Sequence, residues 1–424
     1  MQKLRKAFIV GGIRTPFVKS FTKYVRQTNQ QVMAATLKKL VEKYSLQGKE
    51  VGDVAFGSVM LNSGDWNLTR EVVLDSGLHP HTPGYNVQRA CGTGLETTWQ
   101  IASKVMLGQI EIGISGGSDT NSDAPVMMSR NFTWKLFDLQ NTKGFFGRLG
   151  GFFKFSVGDL KLQFPMVKEP RTGLSMGDHT ELMVKEWKIT REEQDQLAFE
   201  SHQKAAKAYE EGFHSDLVFE YQGVKKDAIL RADTTLEKLA KLKPAFDRSA
   251  TGTLTAGNST PLTDGSSAVL VASEDYAIKN NLPILATFVD AEVAAVDFVK
   301  GEGLLMAPTI AVSRLLARNN LSLQDFDFYE IHEAFAGQVL CNMKAWQDAD
   351  YCKKVLGRDV PMGAIDRNKL NVKGGSLALG HPFSATGGRI VASLAKILSQ
   401  KEKGRGLISI CTAGGMGVAA ILER

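Results

Sequence analysis

The chain has 424 residues, is 43% hydrophobic and 23% charged, and carries a net charge of +6. That suits a soluble protein with core enough for two or three packed subdomains. No apolar run reaches membrane-spanning length. Lys and Arg are scattered without an aromatic-interleaved basic stripe, which excludes a nucleic-acid partner. Four cysteines are too few for a disulfide framework. The basic start, Met1 to Lys6, runs into an apolar strand with no signal core behind it, which predicts a cytoplasmic protein.

In chain order, residues 6–11 read as a buried strand, followed by a turn at Arg14-Thr15-Pro16. An amphipathic helix is expected over 29–45 and a strand over 53–60. Tyr85-Asn86-Val87-Gln88 then leads to Cys91. A helix follows over 92–107, with Leu95, Trp99, Ala102 and Met106 at helical spacing. Gly108 stops it, and a strand over 112–115 ends in Gly116-Gly117. Segment 121–261 is irregular, with one clear helix opening at Thr190-Arg191-Glu192-Glu193, which has capping-box form. A strand over 326–331 precedes His332-Glu333. Near the end, a glycine-rich turn holds His381. A helix carrying Ile390, Val391, Leu394 and Ile397 follows, then a strand over 407–410, Cys411 and Gly414-Gly415. The order turn, helix, strand, Gly-Gly occurs after Cys91 and again after His381, which predicts a duplicated, layered α/β unit.

Three fragments carry the chemistry. Cys91 sits at a predicted helix N-terminus, where unpaired N–H groups and the dipole favour thiolate. Gly92 and Gly94 leave room for substrate beside the sulfur. His381, in Gly380-His381-Pro382, occupies the matching turn of the second half and could take the Cys91 proton. Cys411 follows an apolar strand, and a thiol of ordinary pKa near 8.5 can cycle between acid and base. The glycine turn after it exposes backbone N–H groups that can bind an oxyanion. His332 could hydrogen-bond a thioester oxygen, and Glu333 could orient a neighbour. Each of these residues also has an ordinary reading: a packed cysteine, a satisfied core histidine, a strand–helix junction. Cys341 and Cys352 are given no chemistry, and His79-x-His81 is weak grounds for a metal.

Together these residues resemble the thiolase family. The match runs from Arg14-Thr15-Pro16-Phe17 through Cys91-Gly92-Thr93-Gly94, Pro244-Ala245-Phe246-Asp247, residues 255–265 and His332-Glu333-Ala334-Phe335 to Gly380-His381-Pro382 and Cys411-Thr412-Ala413-Gly414-Gly415. The resemblance implies a five-layered α-β-α-β-α fold. Its N-terminal half would be 1–120 plus 262–282, its loop domain 121–261, and its C-terminal half 283–424. It implies that Cys91, activated by His381, attacks the keto carbon of a 3-ketoacyl-CoA. Cys411 would protonate the departing acetyl-CoA carbanion and then deprotonate incoming CoA. One oxyanion hole would use His381 and His332, the other the backbone N–H groups of Cys91 and Ala413. Met176, Phe246, Ser259, Thr260, Ala334 and Phe335 match positions lining the coenzyme A tunnel. Coenzyme A is thus a substrate, with no permanently bound cofactor and no metal. Many thiolases carry Asn where this chain has His332, and Gly where it has Ala413.

His-Glu-Ala-Phe resembles the thiolase subunit of the fatty-acid oxidation trifunctional complex, which also carries an extra loop-domain segment. Here residues 130–161 set Phe132, Trp134, Phe137, Phe145, Phe146, Phe152, Phe153 and Phe155 among six cations. That suits peripheral membrane or partner contact; the alternative is that the rings form the loop domain's core. The resemblance implies a homodimer or homotetramer, with a hydratase/dehydrogenase subunit as a further partner. Competing functions are a biosynthetic acetoacetyl-CoA thiolase, a decarboxylating condensing enzyme and a complex-assembly subunit.

Overall fold

The computed structural model describes residues 4–424. Strands β1 (Ala7–Arg14), β2 (Asp53–Gly57), β3 (Gly84–Val87), β4 (Ile112–Asp119) and β5 (Thr263–Ser273) form the first sheet, in the order β1-β5-β4-β2-β3. Strands β6 (Ala286–Ala295), β7 (Phe328–Ile331), β8 (Arg405–Thr412) and β9 (Met416–Glu423) form the second, in the order β6-β9-β8-β7. The first two pairings of each sheet are antiparallel and the next is parallel. A parallel Tyr329–Leu370 bridge stands where β3 pairs with β2. The predicted duplication is therefore present at four strand positions, with a single bridge at the fifth. A short β1–β6 ladder joins the two sheets edge to edge.

Helices complete the layers. They are α1 (Asn29–Lys43), α2 (Thr93–Met106), α3 (Met176–Glu186), α4 (Arg191–Glu210), α5 (Ala307–Arg318), α6 (Ala336–Gln347) and α7 (Ala385–Ser399). α1 covers the outer face of the first sheet and α5 that of the second, while α2 and α7 pack against each other between the sheets. In α7 every residue but Lys396 and Ser399 is buried. Ile390, Val391, Leu394 and Ile397 each contribute about 1.5–3 kcal/mol by leaving water. The α2–α7 contact requires glycine. A Cβ on Gly94 would lie 2.6 Å from the Ser384 carbonyl, and one on Gly387 would lie 2.2 Å from the Leu95 nitrogen. Gly94 therefore serves helix packing. Gly92 is likewise closed in, by Val418 and Thr412. The expectation that these two glycines leave room for substrate is corrected.

Several strands run past their expected ends. β1 continues to Arg14, β4 carries Gly116 and Gly117 inside it, and β8 includes Cys411. In each case the extension is laddered to one antiparallel neighbour, a long-range partner that local glycine content does not reveal. β2 instead stops at Gly57, because the Asp119 carboxylate takes the Val59 and Met60 N–H groups that would extend the ladder.

Segment 121–261 enters after β4 and returns to β5. α4 begins as its capping box predicts, with Thr190 accepting from the Glu193 N–H. It is not the only helix there. α3 and two helices over Arg130–Asn141 and Phe145–Phe152 accompany it. The last two bury no residue of their own, although Phe132, Leu136 and Leu139 recur at helical spacing and line one shallow apolar cavity with Phe152 and Phe153. No helix among the described residues is long and apolar enough to cross a membrane.

Candidate functional site

Cys91 is set by a strained turn. Ala90, just before it, has φ 43°, a left-handed conformation costing an alanine roughly 1–2 kcal/mol. Thr93, the first residue of α2, holds the turn: its hydroxyl accepts from the Arg89 N–H at 2.8 Å and donates to the Ala90 carbonyl at 2.7 Å. The sulfur thus sits just ahead of the α2 N-terminus.

His381 is fixed from the opposite half. Gly380 turns at φ 104°, the His381 N–H donates to Thr263 Oγ1 at 2.9 Å, and Nδ1 lies 2.6 Å from Thr386 Oγ1. Three residues on, the Ser384 N–H donates to Asp119 Oδ2 at 2.9 Å. Asp119 Oδ1 also accepts from Ser58 Oγ and from the Val59 and Met60 N–H groups, at 2.8–3.0 Å. One buried carboxylate therefore ties loops of both halves behind the site. Cys411 lies at the end of β8, before a turn made by Gly414 and Gly415 at φ 78° and 69°. The Gly414 N–H donates to Glu169 Oε1 at 2.7 Å. His332 follows β7 directly; its N–H donates to the Ser409 carbonyl and its Nδ1 lies 2.8 Å from Ser376 Oγ.

These side chains converge. Cys91 Sγ and one ring nitrogen each of His332 and His381 lie within 4.8 Å of one another. The two imidazole centroids are 4.1 Å apart. Cys91, His381, Cys411 and Ala413 line one cavity of about 80 Å³, with Met176, Thr260, Ala334 and Phe335 along its wall. The Ala413 N–H lies near enough to the Cys91 sulfur to favour its thiolate.

Burial dominates the electrostatics. It raises the Cys91 thiol to about 12, against the opposing pull of the Ala413 N–H. It lowers His381 to about 3, with help from the Arg389 charge. Burial also holds Cys411 well above, and His332 well below, their ordinary values. The resting pair is thiol and neutral imidazole. The helix N-terminus does not make Cys91 a standing thiolate, nor is Cys411 a thiol of ordinary pKa; both expectations are corrected by desolvation. Each thiol also raises the energy of a charge on the other, so two thiolates at once are disfavoured.

Two expected wall residues stand elsewhere. Phe246 packs edge-on to Phe335 at 5.9 Å, behind the wall. Ser259 lines an adjoining cavity of about 330 Å³ that shares Pro261 with the first. Glu333 turns into the core, accepting from Ser201, Asn371 and the Leu377 N–H. Cys341 and Cys352 are core residues. The structure adds residues outside the sequence motifs. Val167 and Leu305 line the small cavity, and Lys19, Arg231 and Lys238 give the larger one a cationic lining. Phe383, two residues from His381, also lines the small cavity and was within reach of the sequence.

A half-buried cysteine beside a neutral imidazole, with a second thiol across a narrow apolar cavity, fits a cysteine-dependent acyl-transfer site of the layered α/β class. Residues 7–275 match the thiolase N-terminal domain and residues 282–424 the thiolase C-terminal domain. The chain belongs to the thiolase family. It is 39% identical to a 3-ketoacyl-CoA thiolase of Alteromonas mediterranea over 98% of this chain and 96% of that one. The match to a 3-ketoacyl-CoA thiolase of Serratia proteamaculans has the same identity and coverage. Among solved structures it resembles the acetyl-CoA acetyltransferase of Bacillus anthracis, with TM-score 0.82, 30% identity and full coverage of both chains. It also resembles human mitochondrial 3-ketoacyl-CoA thiolase in complex with CoA, with TM-score 0.81 and 29% identity, covering 100% of this chain and 99% of that one.

Proposed function

We propose that the chain cleaves 3-ketoacyl-CoA with CoA, giving acetyl-CoA and a shortened acyl-CoA, in fatty-acid β-oxidation. The observation that carries this reading is the meeting of Cys91, His381 and Cys411 around one cavity. His381 Nε2 takes the Cys91 proton, and the sulfur attacks the keto carbon. The bond between that carbon and the α-carbon breaks, and the α-carbanion takes the proton of Cys411 and leaves as acetyl-CoA. The Cys411 thiolate then takes the proton of incoming CoA, whose sulfur attacks the Cys91 thioester. Acyl-CoA departs, and protonated His381 returns its proton to Cys91. Only one thiolate exists at each stage, as the buried pair of thiols demands. The Cys91 and Ala413 N–H groups and the His332 and His381 rings are the oxyanion donors.

Coenzyme A lies against segment 121–261, which we read as the loop domain inserted in the N-terminal half (1–120 with 262–282), before the C-terminal half 283–424. Its pantetheine runs past Met176, Thr260, Ala334 and Phe335, with Ser259 further out and Phe246 backing the wall. Lys19 and Arg231 suit its phosphates, while Lys238 is held by Asp233 of the same cavity. Rates against 3-ketoacyl-CoA of increasing length, with mass spectrometry of trapped enzyme, test the reading. An acyl mass on Cys91 supports it; turnover of acetoacetyl-CoA alone would favour the biosynthetic reaction.

We read the enzyme as a cytoplasmic homodimer or homotetramer that works beside a hydratase/dehydrogenase subunit and touches a membrane surface through residues 130–161. Phe145, Phe146, Phe152 and Phe153 are 74%, 85%, 64% and 78% exposed, so these rings are not core. Asp159 is paired with Lys135, leaving Arg130, Lys143, Arg148, Lys154 and Lys161 to meet anionic headgroups. Replacing the four phenylalanines with serine lowers binding to vesicles rich in phosphatidylglycerol; unchanged binding contradicts the membrane contact.

A further inference from the structure

Behind His332 runs a short polar chain that the reaction above leaves without a role. Arg389, on α7 and buried, donates from Nη2 to Ser376 Oγ at 2.8 Å. The same oxygen lies 2.8 Å from His332 Nδ1. Beyond the ring, His332 Nε2 is buried and has no hydrogen-bond partner.

We propose that Arg389 and Ser376 are positioning residues that hold His332 in the tautomer protonated at Nε2, a role that rests on the acyl-transfer reading of this site. A guanidinium only donates. Ser376 Oγ therefore accepts from Arg389 and keeps its single proton to give away. Among the described residues that hydroxyl meets no acceptor other than His332 Nδ1. Nδ1 is thus the bare nitrogen, and the proton of the neutral ring sits on Nε2. An oxyanion needs an N–H aimed at it. The other tautomer would aim a lone pair at the same oxygen. Protonating both nitrogens is no way round the choice, because the ring is fully buried beside His381 and near the Arg389 charge. Arg389 stays charged at neutral pH, lowered only to about 10, because the Glu330 and Glu333 carboxyls oppose its burial.

Nitrogen-15 NMR of the histidine-labelled enzyme reads the tautomer, with His332 identified by the signals missing in His332→Asn. Wild type is expected to show a protonated Nε2 and a bare Nδ1. Ser376→Ala and Arg389→Met each introduce a population protonated at Nδ1, and Arg389→Lys, which still donates to Ser376, restores the wild-type pattern. Ser376→Ala lowers kcat about 10- to 100-fold with KM little changed. In the His332→Asn background, whose amide donates without a tautomer to choose, the same substitution changes kcat less than about twofold. A wild-type ring protonated at Nδ1 overturns the proposal. So does an undiminished Ser376→Ala loss in that background. Absence of any acyl group on Cys91 is a separate outcome, which removes the acyl-transfer reading and leaves the NMR result standing.

Discussion

The two halves share a strand order but divide the labour. By sheet position, β2 corresponds to β7 and β4 to β8. In the first half these strands end in Ser58 and Asp119, which hydrogen-bond each other at 3.0 Å and brace the loops. In the second half they end in His332 and in Cys411, which faces the cavity. The turns before the central helices, α2 and α7, give Cys91 from one half and His381 from the other. On the proposed mechanism, one scaffold supplies a nucleophile and a brace, and its copy supplies base, second thiol and oxyanion donor. Duplication fixes where side chains can reach the centre; residue choice at each strand end decides between scaffold and chemistry.

That division is broken most severely by His381→Ala. Without its base the buried thiol stays protonated, and acylation falls about 10⁴-fold, read by rapid quench with a 3-ketoacyl-CoA. A loss under about tenfold would mean another group takes the proton. Cys411→Ala separates the steps. Exchange of the acetyl-CoA α-proton with deuterated water falls about 10³-fold, while Cys91 still becomes acylated at a reduced rate. Full exchange in that variant contradicts the assignment.

The bracing half is tested by stability. Asp119→Ala leaves the Val59, Met60 and Ser384 N–H groups without their acceptor, while Ser58 Oγ can still donate to the Met60 carbonyl, and destabilises by about 3 kcal/mol in urea unfolding. A change under about 1 kcal/mol would show that the brace is dispensable. The smallest effect is on pH. Cys91 is raised to about 12, so its thiolate fraction grows as pH rises and saturates only near that value. Alkylation by iodoacetamide therefore climbs about tenfold per pH unit through about pH 9. A level rate below about pH 8 would reveal a standing thiolate–imidazolium pair instead.

Much of this was legible in the sequence because the informative residues sit at element boundaries. The glycines just after Cys91, the glycine just before His381 and the apolar strand before Cys411 mark both identity and placement. The capping box at Thr190 fixes the start of α4 for the same reason. What escaped depends on long-range contact. Asp119 looks like any acidic strand end until Ser384, 265 residues away, donates to it. The thiol pKa values follow from desolvation by both halves together, which no local window contains. Gly94 reads as open space in a motif and is in fact the contact point of two helices.

The most direct test of the account is a single-turnover reaction with a 3-ketoacyl-CoA in the absence of CoA. It predicts one acetyl-CoA released per active site, with the remaining acyl group found by peptide mapping on Cys91 and none on Cys411. Acetyl-CoA release without an adduct, or an acyl group on Cys411, would contradict it.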